Sequence, residues 1–285
     1  MPISGFSGFK SHLPDLTDKQ AKLIIARLPS ISLISLLLAF FLDNSMRLFY
    51  QIFPNEIFIL IEPWIPIIVP IILILGGIRT AQVGFFKKDR LIQEYQTRAY
   101  QKIAKVIFTG IALVFGGIFY AYVPHGISAL NPITTLLSSS FLDLFGFSCD
   151  IYIRYILGLT FLVLMIGTAV RAVKDFGIDN AGLVYVYFPE EARVVHNEIY
   201  SVVRHPMYMA LVMLSFGGFC FQLSIYSIIH LVITSLGFIY HIYIEEKELI
   251  DRLGDSYKSY RKIVPAILIK PKNWIQFFKF LFGMK

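Results

Sequence analysis

Cysteine, charge and glycine-rich phosphate-binding turns are all scarce in this chain of 285 residues, and each scarcity excludes a class of protein. Two cysteines, Cys149 and Cys220, are too few for a disulfide framework, a zinc ribbon or an iron–sulfur site. No predicted strand leads into a glycine-rich turn, which excludes the nucleotide-binding folds of soluble enzymes. Charged residues make up only 16% of the sequence, and 56% of it is hydrophobic. Soluble domains contain about 25% charged residues, so the composition predicts an all-α, polytopic helical membrane protein.

Long apolar runs give the number of membrane crossings, since a crossing helix needs about 20 mostly apolar residues. Residues 206–244 contain no Asp, Glu, Lys or Arg, and as one helix they would extend for about 58 Å. The hydrocarbon core is only about 30 Å thick, so this segment must fold back. We expect a helical hairpin with its turn at Gln222, Leu223 and Ser224. About six transmembrane helices are predicted, over residues 23–42, 57–78, 106–123, 151–170, 207–222 and 225–244.

The positive charges are distributed unevenly along the chain. Segments 1–28, 79–105, 171–204 and 245–285 hold 24 of the 26 Lys and Arg residues, and Arg47 and Arg154 are the other two. Six crossings place all four segments on one side of the membrane. The positive-inside rule makes that side cytoplasmic, so both termini are predicted to be cytoplasmic. The net charge of +7 then reflects topology and attraction to anionic membrane lipids, and no nucleic-acid partner is expected.

Polar residues cluster at both ends of the predicted hairpin. Arg204 and His205 stand immediately before its first helix, and Glu245 and Glu246 follow its second. A hairpin returns the chain to the membrane face from which it started, so we expect these four side chains to lie close together. The i, i+4, i+7 spacing of His241, Glu245 and Glu248 places these three on one helix face, and Glu246 points elsewhere. Polar groups at such depth are costly and mark functional sites.

Three short motifs together carry a resemblance to a known superfamily. They are Arg204-His205-Pro206-x-Tyr208, Glu245-Glu246-x-x-Leu249, and Gly254-x-x-Tyr257-x-x-Tyr260-x-x-x-Val264-Pro265. This combination resembles the C-terminal core of the isoprenylcysteine carboxyl methyltransferases and phospholipid N-methyltransferases, over residues 150–270. The resemblance divides the chain into an N-terminal transmembrane region, 1–145, and a methyltransferase-like membrane core, 146–285. The first region has three predicted spans and the basic cytosolic loop 79–105. The second ends in a cytosolic C-terminal segment.

The resemblance implies an integral membrane methyltransferase that uses S-adenosyl-L-methionine in a cytosolic pocket, with no metal. It assigns cofactor binding to Tyr200, Arg204, His205, Tyr208, Glu245 and Glu246. His241 is a further cofactor-binding candidate because it shares the helix face of Glu245. The resemblance also implies that Leu249, Tyr257 and Tyr260 pack the lid of the pocket. We predict catalytic roles for Arg204, His205 and Glu246. Arg204 and His205 are the expected partners of the cofactor carboxylate through charge-assisted bonds. His205 or a glutamate is the candidate base for an acceptor that must lose a proton.

The methyl acceptor is left open by the sequence. We expect an amphiphile, either a prenylated cysteine carboxylate or a lipid headgroup amine, that enters sideways from the bilayer between spans 106–123 and 151–170. Isoprenylcysteine methyltransferases carry His and Gly in the run before the loop, where this chain has Ala192 and Glu198. A short soluble thiol is a third acceptor. The expected partners are thus membrane lipids and a small amphiphilic or lipidated substrate. The alternative functions are a sterol-reductase-like enzyme using NADPH and a non-enzymatic lipid-binding scaffold.

Overall fold

The computed structural model describes residues 6–52, 56–122, 131–140, 142, 146, 151–177 and 183–284, and they fold mainly as helices. Within these ranges the only β pairing is an isolated bridge between Ser140 and Ser224. The predicted all-α fold is therefore confirmed. The α-helices are α1 (Phe6–Ser11), α2 (Asp18–Ile52), α3 (Glu56–Ile61), α4 (Ile65–Phe86), α5 (Lys88–Tyr95), α6 (Ala99–Ala121), α7 (Pro132–Ser138), α8 (Ile151–Phe176), α9 (Val184–Tyr187), α10 (Pro206–Gln222), α11 (Ile225–Ile263) and α12 (Trp274–Phe282).

Five helical stretches in the described part of the chain are long and apolar enough to cross a membrane. Each overlaps one of the predicted spans, and they are Asp18–Leu38, Ile59–Phe86, Lys88–Ala121, Ile151–Phe176 and Ile225–Ile263. The sixth predicted span is α10, an apolar helix of 17 residues. At 1.5 Å per residue its length is about 26 Å, slightly less than the hydrocarbon thickness. The structure thus has the architecture of a polytopic membrane protein with one short span.

The hairpin between α10 and α11 turns where the sequence predicts. Helix α10 ends at Gln222, and Leu223 adopts the left-handed conformation with φ +48°. Ser224 then caps α11: its hydroxyl accepts from the Ser227 backbone N–H at 3.1 Å, and the Ser227 hydroxyl accepts from the Ser224 N–H at 2.9 Å. This reciprocal capping box satisfies two backbone donors that would otherwise be unpaired. Two residues therefore suffice to reverse the chain inside an apolar environment.

The helices form two groups that α11 holds together. Helix α6 packs against α2 and α4, while α8 packs against α10 and, at its end, against α12. Helix α11 contacts both groups, through α4 and α6 on one side and α10 on the other. The space between the two groups is therefore bounded by helices from both predicted regions of the chain.

Contacts between distant segments fix which helix ends lie together. One end of the bundle is joined by Arg98–Asp15 (3.0 Å), His12–Glu191 (3.0 Å), Lys88–Glu248 (3.4 Å) and Arg204–Glu246. The opposite end is joined by Asn131–Glu62 (2.8 Å), Tyr226–Pro63 (2.8 Å) and Arg154–Phe221 (2.7 Å). The first set connects the four basic segments, as the charge distribution predicts. The side of the membrane that this end faces stays a prediction.

Helices α4 and α6 approach so closely that their backbones touch at a pair of glycines. A Cβ atom added to Gly77 would lie 2.7 Å from the carbonyl oxygen of Gly110, and one added to Gly110 would lie 2.5 Å from the Ala81 nitrogen. Small residues permit this packing, which drives helix association in membranes where no hydrophobic effect acts between helices. The adjacent Gly76 faces outwards and has nothing within 4 Å of such an atom.

This close approach predicts opposite results for two neighbouring substitutions. Gly77→Leu forces α4 and α6 apart and should destabilise the fold by about 2 kcal/mol or more, the usual cost of overpacking. Gly76→Leu should leave stability near that of the wild type. The measurement is the midpoint of thermal aggregation in detergent, followed by size-exclusion chromatography. Equal midpoints for the two variants would contradict this account of the α4–α6 packing.

Candidate active site

The loop before α10 is held by the segment that follows α11. Arg204 N–H donates to the Pro265 carbonyl at 2.9 Å, and His205 N–H donates to the Ala266 carbonyl at 3.0 Å. Pro206 occupies the first helical turn of α10, where its missing N–H costs nothing. The Arg-His-Pro loop is therefore fixed in space by backbone contacts before any side-chain contact is considered.

Arg204 and Glu246 form a buried ion pair at the centre of the loop. Glu246 Oε1 accepts from Arg204 Nε at 2.8 Å, and the two side chains are only 8% and 6% exposed. The Nη1 group donates to the carbonyls of Arg261 and Val264. Four of the five guanidinium N–H donors, counting the Nη2 bond to Oε1, thus have protein partners. Arg204 therefore has little capacity left for a ligand carboxylate.

Glu246 also contacts three other side chains through hydrogen bonds or ion pairs. His205 Nε2 lies 3.2 Å from Oε1, Tyr257 O–H donates to the same oxygen at 3.5 Å, and Arg261 Nε lies 3.0 Å from Oε2. Both carboxylate oxygens are thereby used within the protein. Glu246 joins the loop, the middle of α11 and the end of α11 into one unit.

A break in α11 allows its last turns to fold back over the loop. Gly254 has φ +59° and ψ −135°, a conformation that glycine adopts without strain. Beyond it, the Tyr260 hydroxyl donates to the Tyr200 carbonyl at 2.7 Å. The Tyr200 ring stacks on Phe176 at 4.8 Å between centroids. Burial raises the Tyr200 pKa well above its ordinary value, so its phenol stays protonated.

A cavity of about 370 Å³ opens beside this unit, a volume typical of small-molecule sites. Its ionisable and hydroxyl-bearing lining residues include Arg193, Tyr200, Arg204, His205, Tyr208, His241, Glu245, Glu248, Arg252, Tyr257 and Tyr260. Its apolar lining includes Ile25, Leu28, Ile78, Ile107, Ile111, Phe115, Val173 and Phe238. Phe115 lies 16 residues after the beginning of α6 at Ala99, about 24 Å along the helix axis. One cavity thus has a polar end and an arm that extends deep among the membrane helices.

Glu245 contributes an unsatisfied acceptor to the polar end. Its Oε2 atom is buried and has no hydrogen-bond partner among the described residues. The nearest positively chargeable atom is His205 Nδ1, 3.7 Å away, which is beyond hydrogen-bond distance. A buried carboxylate oxygen of this kind is costly unless a ligand or water donates to it. Glu245 is therefore available to a bound molecule, whereas Glu246 is not.

Tyr208 and His241 form a second polar group in the wall. Gln82 Nε2 lies 3.3 Å from His241 Nδ1, and His241 Nε2 lies 3.1 Å from the Tyr208 hydroxyl. When the Gln82 amide donates to Nδ1, Nε2 carries the proton and donates to Tyr208. The Tyr208 hydroxyl hydrogen is then available to another acceptor, either the neighbouring Glu245 carboxylate or a molecule in the cavity, which Tyr208 and His241 both line.

The structure brings the residues predicted from the sequence together, but one of them, Glu246, does not line the cavity. Tyr200, Arg204, His205, Tyr208, His241 and Glu245 line the cavity, and Glu246 lies behind its wall. His241, Glu245 and Glu248 share the cavity-lining face of α11, as their spacing predicts. The cofactor-binding and catalytic roles of these residues stay predictions.

Two relevant residues were not identified by the sequence reasoning. Gln82 comes from α4 in the N-terminal region, and no motif signals its contact with His241. Arg193 lines the cavity from the segment after the 3₁₀ turn Pro189–Glu191. In the sequence, Arg193 is recognisable only as a basic residue in the segment that leads to the Arg-His-Pro loop.

Two comparisons with known proteins match the part of the chain that forms this site. Residues 153–256 match the family model for phospholipid methyltransferase, a range that contains the Arg-His-Pro loop, the hairpin and both glutamates. The chain is also similar to a methanethiol S-methyltransferase from Crocosphaera subtropica, with 27% identity over 172 residues. That alignment covers 57% of this chain and 58% of the length of that protein. No solved structure matches the chain significantly. The predicted resemblance to the membrane methyltransferases is confirmed.

The ion pair predicts a stability difference between the two adjacent glutamates. Glu246→Gln leaves the buried Arg204 without its counter-charge and should lower the free energy of unfolding by about 3 kcal/mol. Glu245→Gln removes the same charge one residue away, where no strong contact is lost, and should change stability little. Thermal unfolding of the purified proteins in one detergent makes the comparison. If the Glu246→Gln variant is as stable as the Glu245→Gln variant, the Arg204–Glu246 ion pair does not stabilise the fold as proposed.

Proposed function

We propose that this integral membrane protein transfers a methyl group from S-adenosylmethionine to an amphiphilic acceptor. The observation that carries the proposal is the continuity of the cavity, which joins a polar end at Glu245 and His205 to an apolar arm at Ile111 and Phe115. The family match supports methyl transfer, and the polar end supports the choice of methyl donor. The apolar arm supports the choice of acceptor.

The residues at the polar end fit the chemistry of this cofactor. S-adenosylmethionine has a cationic sulfonium, an amino group and a ribose diol, and when bound it supplies an electrophilic methyl group. The unpartnered Glu245 Oε2 would accept from the amino group or the ribose hydroxyls, or lie near the sulfonium. The Tyr208 hydroxyl, held by His241, would donate to a ligand acceptor. Alignment of donor and acceptor accounts for most of the rate of such a displacement, so a fixed pocket is the main requirement.

His205 is placed to hold the proton of an acceptor that must be deprotonated. Its Nε2 faces the Glu246 carboxylate at 3.2 Å, so the neutral ring carries its proton there. Nδ1 then has a free lone pair, and it lies 3.7 Å from Glu245 Oε2. A proton taken up at Nδ1 would be stabilised by that carboxylate. Arg204 and Glu246 act in this proposal as positioning residues, because their contacts fix the ring of His205.

The acceptor is proposed to reach the cavity from the bilayer. The apolar arm runs between α6, which contributes Ile107, Ile111 and Phe115, and α8, which contributes Ala172 and Val173. Helix α6 packs mainly on α2 and α4, and α8 packs mainly on α10. The seam between α6 and α8 is therefore the path proposed for an apolar tail, with the reactive group at the polar end.

A short alkyl thiol is the second candidate acceptor. The similar protein from Crocosphaera subtropica is named as a methanethiol S-methyltransferase. A thiol must lose its proton before it attacks, and His205 Nδ1 would serve that need. A carboxylate acceptor needs no such base, so the arrangement of His205 favours a thiol or an amine as the reacting group.

Cofactor binding is the first prediction of this proposal. Purified protein should bind S-adenosylhomocysteine in isothermal titration and should not bind NADPH. Glu245→Gln should weaken binding about tenfold or more, since a hydrogen bond to a charged group is lost. Glu94→Gln, which removes a surface carboxylate from α5 outside the cavity, should bind like the wild type. Binding of NADPH alone would favour the reductase, and binding of neither would favour the lipid-binding scaffold.

The acceptor is the second prediction, tested with methyl-labelled S-adenosylmethionine. A farnesylated cysteine analogue, phosphatidylethanolamine and a short alkyl thiol are offered separately, and label is expected in an amphiphile. Ile111→Trp fills the apolar arm and should raise KM for a long-tailed acceptor several-fold more than for the short thiol. Ile72→Trp, at a position on α4 that is 63% exposed on the lipid side, is the matched control. If only the short thiol is labelled, and Ile111→Trp does not change its KM, the acceptor is a short thiol and the proposal of an amphiphilic acceptor is wrong.

A further inference from the structure

The charged groups at the cavity wall are not all paired with one another among the described residues. Three arginines line it, namely Arg193, Arg204 and Arg252. Arg204 is paired with Glu246, and Arg252 Nε lies 2.9 Å from Glu248 Oε1. Arg193 has no ion-pair or hydrogen-bond partner in the part of the chain that the structure describes. Arg193 is exposed to solvent where it lines the cavity, so its guanidinium is open to a ligand. Glu245 Oε2 is buried and has no hydrogen-bond donor among the described residues.

We propose that Arg193 binds the carboxylate of the amino-acid end of S-adenosylmethionine. This inference rests on the proposed function and changes the residue to which the carboxylate is assigned. From the sequence, Arg204 and His205 are the expected partners of the carboxylate. In the structure four of the five Arg204 donors are occupied by Glu246, Arg261 and Val264, and His205 Nε2 lies 3.2 Å from Glu246 Oε1. The planar fork of Arg193 is open to a carboxylate, which it binds with two parallel hydrogen bonds.

The segment that carries Arg193 is held at both ends, so the backbone of Arg193 has a defined position beside the cavity. Two residues before it, Glu191 Oε2 lies 3.0 Å from His12 Nε2, and the His12 ring packs on Phe188 at 4.6 Å. On its other side, Tyr200 is fixed by Tyr260 and by the Phe176 ring. Arg193 therefore lies on a short bridge between two anchored points at the cavity wall.

The arrangement matches a zwitterion. A bound amino acid has one carboxylate and one ammonium group, and the cavity offers one unpaired guanidinium and one unpaired carboxylate oxygen. An ammonium group would satisfy the buried Glu245 oxygen, and a carboxylate would replace only water at the exposed Arg193. Neither pairing requires that a contact within the protein be broken. The ligand carboxylate would lose its water to a charged donor that is already in place.

Isothermal titration with two probes tests the assignment. S-adenosylhomocysteine contains the carboxylate, whereas 5′-methylthioadenosine has the same nucleoside and sulfur without the amino-acid end. Arg193→Gln should weaken the first about tenfold or more and leave the second unchanged, and Arg193→Lys should be intermediate. Arg90→Gln removes the same charge from an arginine that is 83% exposed on α5, and it should behave like the wild type. Size-exclusion profiles and melting temperatures without ligand show whether each variant is folded.

The outcomes separate this inference from the function on which it rests. If the wild type does not bind S-adenosylhomocysteine, the proposed function fails. If the wild type binds it and Arg193→Gln binds it as tightly as Arg90→Gln does, Arg193 does not hold the carboxylate. Equal weakening of both probes by Arg193→Gln also overturns the assignment, because the lost charge would then act on something other than the amino-acid end.

Discussion

A buried ion pair between Arg204 and Glu246 joins the beginning of α10 to the middle of α11, and the site is arranged around it. Neither charge would be tolerated alone at 8% and 6% exposure, so each requires the other. Through Glu246 the pair also holds His205, Tyr257 and Arg261. The hairpin, the loop and the C-terminal segment consequently form one unit, and the cavity is a property of that unit.

The division of work between two adjacent glutamates follows from helix geometry. Successive residues of a helix point about 100° apart, so Glu245 and Glu246 reach the His205 ring at different nitrogens and otherwise have different surroundings. Glu246 points to the loop and accepts hydrogen bonds from Arg204 and His205. Glu245 lines the cavity, and its Oε2 atom has no hydrogen-bond donor among the described residues. In our proposal a similar division applies to the arginines, with Arg204 engaged by the protein and Arg193 binding the ligand carboxylate.

The N-terminal region contributes to the site without contributing a motif. Ile25 and Leu28 of α2 and Ile111 of α6 form the apolar arm, and Gln82 of α4 fixes the ring of His241. His12 holds the connector that precedes Arg193. These contacts explain how a region outside the family match can shape the volume in which an acceptor would bind. Packing against lipid and against other helices tolerates many apolar residues, so such a region has little sequence signature.

The sequence by itself determined the helical class, the approximate spans and the turn at Gln222, Leu223 and Ser224, because each depends on local hydropathy or backbone chemistry. It also determined that Arg204 and His205 meet Glu245 and Glu246, since a charge-free run of 39 residues can only return to its starting face. Only the tertiary structure decided which glutamate faces the cavity, that Gln82 reaches His241, and that Arg193 has no partner among the residues that the structure describes. Those outcomes depend on distances between helices far apart in sequence, which periodicity along a single helix does not encode.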